Sequence, residues 1–289
     1  MLLKRCLDLI EMTAKVPSFS SYEEVLHPHI IDIASNSKGC SVYVESERNL
    51  ALYIPGKSPG LVALTAHLDK INHFGIPHLD ELPFERNDVF LKGQLDNTAG
   101  IGVVMSLLEM APQKDWPGIV VLLSEMEEST GLKNHPEWMR NNAEGLYHGM
   151  GAERLSHFLH KKQWRPDAVI TVDTTPLFKG ESGCAVYSKH WEFTETTPSV
   201  AEIKATQALV DEILETNPEM LHRNNTNDYL TYGKILNQLF DAPVPSIALE
   251  PAIFPYHTKN EQVFVKDIQT ILNALSSLLD RWTSIRSKL

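Results

Sequence analysis

Cysteine is scarce. The 289 residues hold three, Cys6, Cys40 and Cys184, with no CxxC spacing. An odd, scattered set excludes a disulfide framework and a thiolate zinc site, and reads as reduced, mostly buried thiols. Long apolar runs are missing too. No stretch approaches the roughly 20 apolar residues of a membrane span. The opening "MLLKRCLDLIEMTAK" breaks its apolar pattern with charges and offers no uninterrupted core of a secretory signal. These absences predict a cytoplasmic protein with no membrane partner. Positive charge is in deficit, with 26 Lys plus Arg against 37 Asp plus Glu and a formal net charge of -11. That field repels phosphate backbones and argues against a nucleic-acid partner. Several catalytic devices are also absent. There is no GxSxG elbow and no GxxxxGK[ST] loop, and the "GIG" at 100–102 lacks a third glycine and follows no strand, so it reads as helix packing.

What is present is a globular composition, 43% apolar and 22% charged, in a length that favours one domain over 1–289. Helical apolar spacing marks the first 14 residues, and Ser20 with Glu23 reads as a capping box before a second helix. "CSVYVES", "NLALYI", "GLVALTAH", "GIVVLLS", "DAVITVD" and "VPSIALE" read as strands, the more apolar ones central in a sheet, and "GCAVYS" as an edge or antiparallel strand. Helices are expected over 98–110, 200–214, 229–240 and 263–285, with 70–92 as loop and a helical insertion around 134–165. Buried strands alternating with helices predict a three-layer α/β/α sandwich around a central, mostly parallel mixed sheet.

The chemistry gathers where those strands end. "VALTAHLDK" finishes in His67 and Asp69, "IVVLLSEMEE" in Glu125, Glu127 and Glu128, and "AVITVD" in Asp173. Asp96 stands just before a helix, and His257 follows the last strand in "PAIFPYHT". Singly, each reads as a helix cap, a loop charge or an ordinary histidine. Together they fall at the carboxyl ends of strands, where open α/β sheets bind ligands.

In this order the residues resemble the dinuclear zinc exopeptidase superfamily over about two thirds of the chain, through "TAHLDK", "GQLDNTAG", the adjacent Glu127 and Glu128, "TVDTT" and "YHTKNE". With no room for an added lid or dimerisation domain, the chain is most similar to the family's single-domain aminopeptidases. The resemblance implies one zinc on His67, Asp96 and Asp173, and a second on Asp96, Glu128 and His257, with Asp96 bridging. Manganese or cobalt would accept the same ligands, and a one-zinc arrangement is known among relatives. Three ligand carboxylates against two divalent cations leave one positive charge, which favours a bridging hydroxide. Asp69 is implied to fix the tautomer of His67, and Glu127 to act as general base.

Two features depart from the family pattern. "EESTG" carries one residue more than usual, so Glu125 and Glu127 form a competing base and ligand pair. The longer stretch before Asp173 adds His135, His148, His157 and His160, expected at the surface, although one of them could line the substrate pocket. For substrate recognition, Asp228 is a candidate for a peptide ammonium or an N-cap. Arg223 is a candidate for a carboxylate, or an exposed loop arginine. The resemblance therefore implies an aminopeptidase acting on short peptides. A carboxypeptidase or N-acyl-amino-acid deacylase is the alternative within the family, and a binding protein on a degenerate peptidase fold the alternative outside it. A homodimer is the expected assembly.

Overall fold

Apolar, β-branched runs bounded by Gly, Pro and Asn form the strands, and side chains alternate between two buried faces. The computed structural model describes residues 2–76, 79–223 and 231–289. In chain order the strands are β1 (Ser41–Glu45), β2 (Asn49–Ile54), β3 (Leu61–His67), β4 (Glu85–Arg86), β5 (Phe90–Gly93), β6 (Gly118–Ser124), β7 (Ala168–Val172), β8 (Cys184–Tyr187), β9 (Leu221–Arg223), β10 (Ser246–Pro251) and β11 (Glu261–Phe264). The helices are α1 (Leu2–Ala14), α2 (His27–Asn36), α3 (Thr98–Met110), α4 (Ser129–Asn134), α5 (Met150–Lys161), α6 (His190–Thr194), α7 (Val200–Thr216), α8 (Thr231–Leu239), α9 (Val265–Asp280) and α10 (Trp282–Arg286).

Eight strands form one mixed sheet in the order β1-β2-β6-β3-β7-β10-β8-β9, in which β6, β3, β7 and β10 run parallel at the centre. Along β6 the period of two is plain. Ile119, Val121 and Leu123 join a core cluster with residues of α1, α3, α7 and α9, while Val120 and Leu122 face α5 and α8 through Leu155, Leu159 and Leu236. The result is the α/β/α sandwich that the alternation of strands and helices predicts. Among the described residues no helix is long and apolar enough to cross a membrane. All three cysteines are free, and burial pushes the Cys6 thiol up to about 12 and Cys40 up to about 11.

Several local expectations are corrected. The span 70–92 is not all loop, because β4 and β5 pair antiparallel and β11 adds to β5 from far along the chain, opposing Phe90 to Phe264. Val263 and Phe264 therefore belong to a strand, and the C-terminal helix starts only at Val265. "GCAVYS" is antiparallel to β10 but not an edge, since β9 covers its other side. The Ser20–Glu23 capping box does not form: Ser20 Oγ donates to Asp69, and Glu23 Oε1 accepts from the Ser21 and Met126 N–H groups. Long-range partners outbid the local motif in each case.

Gly102 is helix packing, as the spacing suggests. A Cβ there would sit 2.3 Å from Ile10 Cγ1 and 3.1 Å from the Cys6 carbonyl of α1. Gly102→Ala is accordingly expected to lose about 1–3 kcal/mol through overpacking, read as a lower denaturation midpoint with an unchanged m-value.

Candidate metal centre

Parallel β6, β3 and β7 end together, so their next residues converge. His67 is in register with Ser124 across β3 and β6. Asp173 follows β7, and Asp96 precedes α3, whose N-cap Asn97 accepts from the Gly100 N–H and donates to the Val172 carbonyl. The same side chain thus caps the helix and ties the Asp96 turn to the end of β7. Gly100 is required there: a Cβ would fall 2.1 Å from Asn97 Oδ1 and 2.3 Å from Val172 O. His257 arrives from the segment between β10 and β11, its backbone left-handed at φ 53.

Two trios result, His67–Asp96–Asp173 and Asp96–Glu128–His257, each with donor atoms within 4.8 Å of one another. Asp96 turns Oδ1 to His67 Nε2 at 3.3 Å and Oδ2 to His257 Nε2 at 3.6 Å. His67 Nε2 is 3.7 Å from Asp173 Oδ1, and His257 Nε2 is 3.5 Å from Glu128 Oε2. Ligand bonds of about 2.0–2.1 Å in a tetrahedron put donor atoms roughly 3.3 Å apart, so these spacings suit first-row divalent cations. The electrostatics agree. No lysine or arginine ion-pairs with Asp96, Glu128 or Asp173 among the described residues. Burial, then repulsion from Asp96, pushes the Asp173 carboxyl up to about 7 and Glu128 well above its usual range. Burial opposes charge on His67, but the Glu127 and Asp173 carboxylates outweigh it and raise its pKa. A buried acid cluster without fixed cations is a site that fits divalent metal.

Glu127 Oε2 lies 3.6 Å from His67 Nε2, beside the first trio, and forms a third cluster with His67 and Glu128. The competing register fares differently. Glu125 is fully buried and turned to Arg48, Asn49 and Arg154, with Asn49 Nδ2 at 2.6 Å and Arg154 at 2.5 Å from Oε1. Met126 separates the two directions by adopting φ 53, and its N–H is held by Glu23. The extra residue of "EESTG" is taken up inside α4, which starts at Ser129 directly behind Glu128 and includes Thr130 and Gly131.

Asp69 does more than face His67. Its Oδ1 is 3.3 Å from His67 Nδ1, which also meets the Asp69 carbonyl at 3.0 Å. The two carboxylate oxygens accept the Glu127 and Glu128 N–H groups at 3.0 Å each, and Oδ2 also takes Ser20 Oγ at 2.8 Å. One side chain thus fixes a ligand histidine and the acidic pair together. Asp69→Asn turns one acceptor into a donor, and is expected to weaken metal binding about 10–100-fold, measured by competition with a chromophoric chelator.

Glu261 was not singled out from the sequence. Its carboxylate accepts from the Leu95, Asp96 and Thr258 N–H groups at 2.7, 3.1 and 3.3 Å, joining the Asp96 turn to the His257 segment. The signal available was its place four residues after His257 in "YHTKNE". Tyr256 stacks on His257 with centroids 3.7 Å apart. Of the four additional histidines, His157 and His160 are exposed, and half-buried His135 stacks on Trp138. His148 departs from the surface expectation, because its Nδ1 meets the Glu127 carbonyl next to the site. Arg223 is not a loop arginine but a half-buried residue at the end of β9, in register with Tyr187, whose hydroxyl bonds Thr175 two residues after Asp173. Asp228 lies outside the described residues.

No family model and no curated protein matches the sequence. Solved structures do match. An aminopeptidase from the archaeon Desulfurococcus kamchatkensis aligns with TM-score 0.67 at 12% identity, over 100% of this chain and 98% of that one. A TET aminopeptidase from a marine sediment thaumarchaeon aligns with TM-score 0.68 at 11%, over 99% of each chain. The chain shares the fold of these two proteins. A tripeptidase from Staphylococcus aureus shares it, with TM-score 0.64 at 11% identity over 99% of each chain. At such identities the likeness is one of architecture, and the shared fold carries here its own acid and histidine cluster at the carboxyl end of the sheet.

Proposed function

We propose that the protein is a metal-dependent exopeptidase that releases N-terminal residues from short peptides. The observation that carries the proposal is Asp96, whose two oxygens face two different histidines, each with a further buried carboxylate. His67, Asp96 and Asp173 would hold one divalent cation and Asp96, Glu128 and His257 the other, zinc by preference and manganese or cobalt by the same ligand chemistry. Bound there, the cations would supply Lewis-acid polarisation of the scissile carbonyl and a lowered pKa for attacking water.

The chain's own groups supply the rest. Glu127, close to His67 but outside both trios, takes the proton of the attacking water and returns it to the leaving amine. Asp69 holds the Glu127 and Glu128 backbone and the ring of His67, so base and ligands keep one geometry through the reaction. Asn97 and Glu261 do the same for Asp96.

The test is elemental analysis of tag-free protein, paired with turnover of a free-amino dipeptide panel before and after chelation. About two metal equivalents and chelator-sensitive release of N-terminal residues are expected. No bound metal after supplementation and no turnover would leave a binding protein on this fold. A second reading, carboxypeptidase or N-acyl-amino-acid deacylase, rests on Arg223, a cation at the end of β9 whose buried Nε has no hydrogen-bond partner among the described residues. Turnover confined to blocked-amino substrates would select it.

A further inference from the structure

Behind His67 and Glu127, on the face of the sheet covered by α5 and α8, a small cavity is lined by both residues together with Asp173, Ser124, Thr171 and Tyr232. It leaves about 10 Å³ open to a water-sized sphere, close to the least space that holds one water molecule. Tyr232 is held there by its helix. Its ring packs among Val120, Leu122, Leu155 and Leu236 and is 2% exposed, so the phenol cannot swing out to bulk water. Its hydroxyl is buried beside the Ser124 side chain, with no hydrogen bond of full geometry among the described residues. The other polar groups in the wall are partly engaged. Thr65 and Thr171 bond each other at 2.8 Å, which leaves each hydroxyl oxygen a lone pair to offer. A buried phenol with an open valence, facing a one-molecule space with several further acceptors and donors, is the arrangement that ordered internal water satisfies.

We infer that this cavity is a water site anchored by Tyr232, and that its water borders Glu127 and His67. Tyr232 is then a positioning residue: through the water it fixes Glu127 and solvates the carboxyl while that group carries a proton. The water site stands on the cavity and the phenol alone; the consequence for turnover rests on the function proposed above.

The deciding experiment is a crystal structure of the metal-loaded protein beside its Tyr232→Phe variant, with steady-state kinetics on both. One ordered water within hydrogen-bond reach of Tyr232 Oη is expected, absent in the variant, with kcat down about tenfold and KM unchanged within about twofold. Ser124→Ala, a second variant that spares the aromatic core, is expected to weaken the same density without moving Tyr232. A dry cavity in the wild type, or a water retained in Tyr232→Phe, overturns the site whether or not the protein is a peptidase. Loss of the water with kcat unchanged overturns the positioning role alone.

Discussion

Glu127→Gln is expected to lower kcat about 10²–10⁴-fold, the range for loss of a general base, while two metals stay bound. The substitution keeps the volume and one acceptor oxygen, so nothing in the surrounding packing changes. Basicity and the negative charge are lost, and one acceptor becomes a donor. The metal measurement matters because Glu127 also stands in a cluster with His67 and Glu128. If it were a ligand, Gln would cost about one metal equivalent and the activity loss would follow occupancy. If it is the base, metal content is preserved and the fall appears in kcat with little change in KM. A variant with both metals and wild-type kcat would remove Glu127 from the chemistry. Glu125→Gln is the contrasting substitution: Glu125 faces Arg48, Asn49 and Arg154 rather than the cluster, so its effect falls first on stability.

Strand-end chemistry was legible because each apolar run stops at a residue whose type is out of keeping with burial. His67, Asp173 and the glutamates after Ser124 stand out against nearly continuous hydrophobic neighbours, and parallel order brings those ends together. The sandwich was legible for the same reason. What could not be read were interactions set by distant partners. β5 and β11 pair across more than half the chain, and neither carries a local pattern strong enough to announce a strand. Ser20 and Glu23 satisfy the local rule for a helix cap, yet serve Asp69 and Met126 instead. The choice between Glu125 and Glu127 turned on one left-handed residue, Met126, and on an arginine 77 positions upstream of Glu125. Periodicity carries no information about either.

That arginine carries the other large expected effect. Arg48 is 9% exposed and lies between two fully buried carboxylates, with Nε 2.5 Å from Glu125 Oε2 and 3.3 Å from Glu23 Oε2. Burial, then repulsion from Asp69, already pushes the Glu23 carboxyl up to about 8. Arg48→Met removes the only cation within ion-pair reach of Glu23 among the described residues, whereas Glu125 keeps Arg154 and Asn49. Removing one partner of a buried pair costs about 3–5 kcal/mol, mostly the penalty of stranding the other charge. Because Glu23 ionises only near pH 8, the stranded charge and the loss it causes should grow as the pH rises past that value, and Glu23→Gln in the Arg48→Met background should restore part of the loss there but little at neutral pH. A double-mutant cycle by chemical denaturation at about pH 9 reads this directly: a coupling above about 1 kcal/mol is expected there, and additivity within about 0.5 kcal/mol would mean the two residues act independently. The cycle also bears on the site. Glu23 Oε1 holds the Met126 N–H, the strained turn that sends Glu125 one way and Glu127 the other. Arg48→Met should thus lower kcat in the fraction that remains folded, and the Glu23→Gln partner, which keeps an oxygen for that N–H, should recover stability and activity together.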